Sequence, residues 1–308
     1  MMTDAFLPHF TGSNVYHYTD AGGLIGMVQN HALWATESSG MNDPREGEYG
    51  EERLELYQPS EHDRETFEFH RNRTGIVISD EVFVACASTQ GDDVSQWTRY
   101  TPWPDVGYCI ALDPKTPLAI AREEPLLERG SGSWAAMFDS ARTSRWSAVV
   151  YGQQQFAHAM AQFIPWADSL VSNADAGEPL DDYSLLQEAE DTATTALSAL
   201  TRLAKDAGFA SENEARVVSS AMASGRYVKS RPSRYGVVRY VELAAGSQDR
   251  GFVVRDEEQK GSWERLPITS ITIGPSPFAD RGVRSVRRLL KENGYEDVPV
   301  KVSDCQMR

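Results

Sequence analysis

The chain has little cysteine. Cys86, Cys109 and Cys305 are an odd number, with neither disulfide nor zinc-ligand spacing. That excludes a disulfide framework and a cysteine-built metal site. Cys86 and Cys109, set in apolar runs, read as small buried hydrophobes. Basic charge is also short: 30 Lys and Arg stand against 45 Asp and Glu, a net charge of −15. Counterion release on nucleic acid needs the opposite balance, so nonspecific binding by the surface as a whole is excluded. No apolar run approaches the roughly 20 residues that cross a bilayer. The opening "MMTDAFLPHF" has no basic segment followed by an apolar stretch. A cytoplasmic chain with no membrane partner is therefore the expectation. Neither G-x-G-x-x-G nor a P-loop pattern occurs, which leaves dinucleotide-fold and phosphate-loop readings without support. No internal repeat is visible.

What is present suffices for a core. Of 308 residues, 41% are hydrophobic and 10% aromatic. "NVYHYT" (14–19) reads as a strand, Asp20 as the cap of a helix over 21–31, and "ALWAT" as a second strand. Asn42, Asp43 and Pro44 form a turn before an acidic helix. "EVFVACAS" (81–88) and "VGYCIALD" (106–113) are strands flanking a short helix or turn, "DDVSQWTRY". "WSAVVYG" reads as one strand, residues 122–144 as loop, and 153–171 and 184–206 as helices. Leu185, Leu186, Ala189, Ala193, Leu197, Leu200 and Leu203 recur at helical spacing in the second. "SENEARVVSS", "YGVVRYVELA", "GFVVRD" and "ITSITIGPS" follow as strands, then the basic helix "RGVRSVRRLLKENG" and "VPVKV". Strands following strands argue an α+β fold with a mixed, largely antiparallel sheet core and flanking helices. One domain over 14–303 is expected, with a helical insertion around 152–206 and tails at 1–13 and 304–308.

Four stretches could carry chemistry. In "YHYT", alternation sends Tyr16 and Tyr18 to one face of a strand and His17 to the other; a lone strand histidine is ordinarily structural. In "SENEARVV", period two puts Glu212, Glu214 and Arg216 on one face. That is either a solvated edge with one salt bridge or a carboxylate pair suited to an oxocarbenium-like transition state. "DDVSQWTRYTPW" gathers Ser95, Trp97, Tyr100 and Trp103, which would either stack on a planar ligand or cap a core. Asp43, Glu46 and Glu48 in "GMNDPREGEYG" lack a His or Cys at metal-ligand spacing, so a capping turn is preferred and no metal site is expected. Arg281, Arg284, Arg288 and Lys291 read as a solvated helix face.

In this order, "YHYTD", "LWATESSGMNDPREGEY", "VACASTQGDDVSQWTRY…GYCIALD", "FASENEARVV" and "ITSITIGPSPFADRGVRSVRRLL" resemble a widespread bacterial domain-of-unknown-function family. Its architecture is similar to the ADP-ribosyltransferase fold. The resemblance implies NAD as the substrate. His17 would hold a ribose hydroxyl, Ser95 or Trp97 would frame the nicotinamide, and Glu214 would be the catalytic carboxylate with Glu212 orienting the acceptor. Tyr16, Tyr18, Trp34 and Trp97 would wall the ring, with Thr19 and Asn42 in the same motifs. Arg45, Arg99 and Arg216 are the candidates for the phosphates. Tyr18 stands where poly-ADP-ribose-type enzymes have Gly, and "SQW" differs from the S-T-S of arginine-modifying ones, so the acceptor stays open: protein, RNA or DNA. A toxin or phage-defence effector, with a neutralising antitoxin or defence-system partner, is the implied setting. An NAD glycohydrolase, a non-catalytic binding module of the same fold and a metal nuclease built on residues 42–48 are the rivals.

Overall fold

The computed structural model describes residues 6–41, 45–74, 80–101, 105–123, 141–175, 183–222, 226–233 and 236–305. The chain opens with β1 (Val15–Thr19), α1 (Ala21–Asn30) and β2 (Leu33–Glu37). Asp20 starts α1 by accepting from Gly23 N at 2.8 Å, and His31 stops it in the left-handed region, φ 46°. Next come α2 (Arg45–Leu56), α3 (Arg64–Thr74), β3 (Asp80–Ser88), α4 (Val94–Tyr100), β4 (Tyr108–Leu112) and β5 (Ala119–Arg122). Three short strands follow: β6 (Arg142–Thr143), β7 (Ser147–Ala148) and β8 (Val150–Tyr151). The helices α5 (Gly152–Asp175) and α6 (Tyr183–Leu203) lead to β9 (Ala204–Lys205) and β10 (Glu214–Met222). The remainder is β11 (Lys229–Ser233), β12 (Gly236–Ala244), β13 (Phe252–Val254), β14 (Ile268–Ile273), α7 (Ala279–Glu292) and β15 (Val300–Val302).

The result is a mixed α+β fold with a largely antiparallel open sheet and flanking helices. The main sheet runs β13-β5-β12-β2-β3-β1-β4-β14-β15, with β10 also on β3, β6 and β7 on β10, and β11 on β12. β8 and β9 form a separate parallel pair.

Alternation along β3 and β10 explains the layering. Phe83, Ala85 and Ala87, with Ala215 and Val217, enter a core shared with α1 and α7. Val82, Val84 and Val218 point the other way, into a core filled by Phe67 of α3, Phe156, Met160 and Phe163 of α5, and Leu197, Leu200 and Leu203 of α6. Both faces of this central pair are covered, and β3 accordingly reads as a continuous apolar run from Val82 to Ala87.

Several local expectations change. "WSAVVYG" is two strands, not one. The predicted helix 184–206 ends at Leu203, because Ala204 and Lys205 leave it to pair with Val150 and Tyr151. Leu185, expected on the buried stripe, is exposed, while Ala189, Ala193, Leu197, Leu200 and Leu203 are buried. α3 and β11 have no counterpart in the sequence reading; both are polar segments, and β11 carries Pro232. Residues 7–10 of the supposed 1–13 tail are docked: Phe10 N donates to Trp146 O, Ala148 N to Pro8 O, and Leu7 is buried.

Gly50 marks a close contact between α2 and α6. A Cβ there would lie 1.9 Å from the Thr201 carbonyl oxygen of α6. Gly50→Ala is therefore expected to lower the melting temperature, although Gly→Ala in an open helix stabilises by up to about 1 kcal/mol. Gly261, with nothing within 4 Å, is the control and its alanine variant should be neutral. Thermal unfolding followed by circular dichroism reads both, and a stabilised Gly50→Ala would disprove the close packing of α2 on α6.

Candidate active site

The motif-bearing strands are neighbours. β10 pairs with β3 along its whole length, from Glu214↔Ser88 to Met222↔Asp80. That occupies one edge of β3. On the other edge β1 pairs only at Tyr16↔Ser88, and β2 only at Thr36↔Val84 and Glu37↔Phe83. The two strands diverge, and Cys86 sits at the parting. Tyr16, Ser88 and Glu214 thus lie in one row across three strands, with His17 on the alternate side of β1.

His17 fills the gap. Its Nδ1 lies 2.9 Å from the Cys86 carbonyl oxygen. A carbonyl cannot donate, so the neutral ring carries its proton on Nδ1 and leaves Nε2 as an acceptor. Burial lowers the pKa of His17; the Cys86 carbonyl works against that, and the Arg231 charge adds to it. His17 is thus held toward the neutral, hydroxyl-accepting form.

Glu214 approaches Cys86 from the other side. It accepts from Arg216 Nε at 2.9 Å and Nη2 at 3.0 Å, from Lys205 Nζ at 2.9 Å, and from the Cys86 thiol. Burial would raise its pKa, but Arg216 and Lys205 outweigh burial and hold it at about 2, below its ordinary 4.5. Arg216 is 1% exposed and also donates to the Arg202 carbonyl at 2.6 Å, closing the C-terminal end of α6.

Glu212 reaches the same place by another route. It ends a 3-10 turn rather than sharing a strand face with Glu214, because Asn213 adopts φ 48° between them. Its carboxylate takes Lys205 Nζ at 2.7 Å and Arg99 from α4. Its carbonyl accepts from Ser88 Oγ and Gln96 Nε2, each at 3.1 Å. Two carboxylates meet three cations here, a formal excess of one positive charge. Tyr151 OH accepts from Glu214 N at 2.9 Å, and burial lifts its own pKa to about 12. The Tyr100 pKa is raised by burial, with Cys86, Glu214 and Glu212 adding to it.

Other expected site residues serve differently. Trp97 is fully buried, T-shaped to Tyr18 at 4.8 Å, with its indole N–H on Asp92 at 2.9 Å; its ring is core and cannot wall a ligand. Tyr18 is buried too, its hydroxyl donating to Gln90 O and accepting from Asp93 N. Ser95 is a cap partner of Asp93 rather than a frame for a ring. Arg216 is spent on Glu214 and cannot reach a phosphate. Tyr16 is half-buried against Gly91, and Thr19 packs on Gly23. Trp34 lies on β2 against Gly26 of α1. Asn42, Asp43, Pro44 and Trp103 fall outside the described residues, and Arg45 opens α2. Among the described residues no group of three or more His, Cys, Asp or Glu could hold a metal, and no helix is long and apolar enough to cross a membrane.

Lys205, Tyr151, Gln96 and Ser88 were not singled out from sequence, and Cys86 was read only as a small buried hydrophobe. Strand register, with α4 for Gln96, brings them to the carboxylates. Comparison with protein-family models, curated proteins and solved structures gives no match.

Removing one partner of a buried ion pair leaves a stranded charge, at about 3–5 kcal/mol. Arg216→Met should lose about that much in urea unfolding at pH 7. The folded pKa of Glu214 is depressed, so its contribution is complete above about pH 5 and fades as pH falls through 2. The difference between wild type and Arg216→Met should shrink over that window. Equal stability at pH 7, or a gap unchanged down to pH 2.5, would refute the pairing.

Proposed function

We propose that this chain cleaves NAD at the nicotinamide–ribose bond and transfers ADP-ribose to a macromolecule, protein or nucleic acid. The supporting observation is Cys86, whose carbonyl takes His17 and whose thiol reaches Glu214. The two side chains named by the motif resemblance are thereby tied to one residue, where β1 and β2 part from β3. The finer assignment of the sheet as ADP-ribosyltransferase-like rests on the same adjacency of β1, β3 and β10.

In this scheme the bond from ribose C1′ to nicotinamide breaks with its electron pair leaving on the ring nitrogen. Positive charge develops on the ribose. Glu214, ionised at neutral pH, stabilises that charge, while His17 Nε2 accepts a ribose hydroxyl. A nucleophile of the acceptor then bonds C1′ and loses its proton, with Glu212 placed to orient it. Arg99, whose side chain is 43% exposed, forms the solvent side of the cluster. A toxin or phage-defence effector, restrained by a partner, is a setting that suits such chemistry.

One observation favours a different reading, a non-catalytic binding module of the same fold. Both carboxylates already have cations, and Glu214 is only 8% exposed. The two readings separate in one experiment. Nicotinamide release from NAD is measured for purified wild type, Glu214→Gln and His17→Ala, with cell lysate and labelled NAD. A transferase predicts labelled macromolecule and release reduced by about 100-fold in Glu214→Gln. A glycohydrolase gives release without label. No release from folded wild type with lysate present rejects NAD cleavage and leaves the binding module. Should Glu214→Gln not fold, loss of release in folded His17→Ala carries the test.

A further inference from the structure

We propose that Arg231 of β11, with Trp34 of β2 beside it, is the receptor for the diphosphate of a nucleotide substrate. This deepens the NAD reading and rests on it for the identity of the substrate, though not for the phosphate contact itself.

Arg231 is unlike the other arginines at the site. Arg99 and Arg216 are ion-paired to carboxylates, as is Arg239 farther along β12. Arg231 has no ion pair among the described residues, in a chain of net charge −15. Its Nη2 donates to Thr36 Oγ1 at 3.1 Å, and its guanidinium carbon lies 5.6 Å from the centre of the Trp34 ring. Its Nε is buried without an acceptor, as are those of Arg53 and Arg73; what sets Arg231 apart is that Nε1 of Trp34, the ring beside it, also lacks one. Two adjacent unsatisfied donors are costly in a folded protein unless something supplies acceptors. A phosphate supplies several, and the planar guanidinium fork matches it in bidentate geometry.

The surroundings fit a nucleotide better than a bare anion. Tyr240 packs on Trp34 with ring centres 5.0 Å apart, giving an aromatic wall. Lys229 of the same strand is engaged with Glu242 at 3.1 Å, so Arg231 is the cation left to meet phosphate. His17 feels the Arg231 charge, which places the hydroxyl acceptor and the phosphate receptor in one neighbourhood. Receiving phosphate at Nε requires the half-buried guanidinium to swing off Thr36.

The full chain is titrated with ADP, pyrophosphate and adenosine by calorimetry, as wild type, Arg231→Gln and Arg231→Lys. ADP and pyrophosphate should bind wild type. Arg231→Gln should weaken ADP by about 10–100-fold, the loss of a charge-assisted bidentate contact, with melting temperature unchanged and Arg231→Lys in between. Adenosine should be indifferent to Arg231. Equal ADP affinity in Arg231→Gln, equal loss for adenosine, or no ADP binding by folded wild type would overturn the assignment. ADP binding that depends on Arg231 without any nicotinamide release would keep the receptor and reject NAD cleavage. Release with an unchanged KM for NAD in Arg231→Gln would do the reverse. If Arg231→Gln misfolds, Arg231→Lys alone decides.

Discussion

A carboxylate buried between Arg216 and Lys205 ties three parts of the molecule together. Glu214 starts β10, Arg216 anchors to the last turn of α6, and Lys205 lies on β9. Isolated charges at such depth would be expelled or neutralised. Here each polar group has a partner, so the helical layer, the sheet and the α4 loop are held in one relative position. Removing any member strands the others. The cluster is therefore structural whatever else it does, and chemistry at Glu214 has to operate inside that constraint.

The second constraint is the parting of β1 and β2 from one edge of β3. A sheet edge that loses its ladder exposes a carbonyl that must be satisfied. Cys86 O is satisfied by a side chain, His17, which explains an imidazole between two tyrosines in a short strand. The same bond fixes its tautomer. Open strand edges invite aggregation; this one is covered by the ring and leads toward Arg231 and Trp34. Residues along diverging strands are set by register and cannot drift independently.

The fold class was legible because its evidence is local. Short apolar runs announced β3 and β4, alternation in "SENEARVV" announced β10, and the spacing of Ala193, Leu197 and Leu200 announced α6. What escaped was what sequence neighbours do not determine. Polar β11 is a strand because it pairs with β12, not because its residues favour it. Glu212 looked like a strand residue until Asn213 turned left-handed. For the site, Glu214 and His17 stood out as residue types in a motif. Lys205 and Cys86, which determine what those two can do, carried no signal, since their importance comes from contacts 9 and 69 positions away. Trp97 failed in the opposite direction: a conspicuous aromatic in a loop-like stretch became core once α4 formed and Asp92 took its N–H.

Charge placement links the two regions. The chain carries a net charge of −15, yet the cluster around Glu214 carries a formal positive excess and Arg231 has no ion pair among the described residues. A dianionic diphosphate approaching this protein would be repelled at long range, with screening over about 8 Å at physiological salt, and attracted only within the cleft. That arrangement favours ligands small enough to enter over extended polyanions, which cannot avoid the acidic exterior. On the proposed reading this also bears on Glu214. With Lys205 and Arg216 both engaged, the carboxylate would be a weak stabiliser of a ribosyl cation. A diphosphate at Arg231 would add negative charge nearby and so favour that cation.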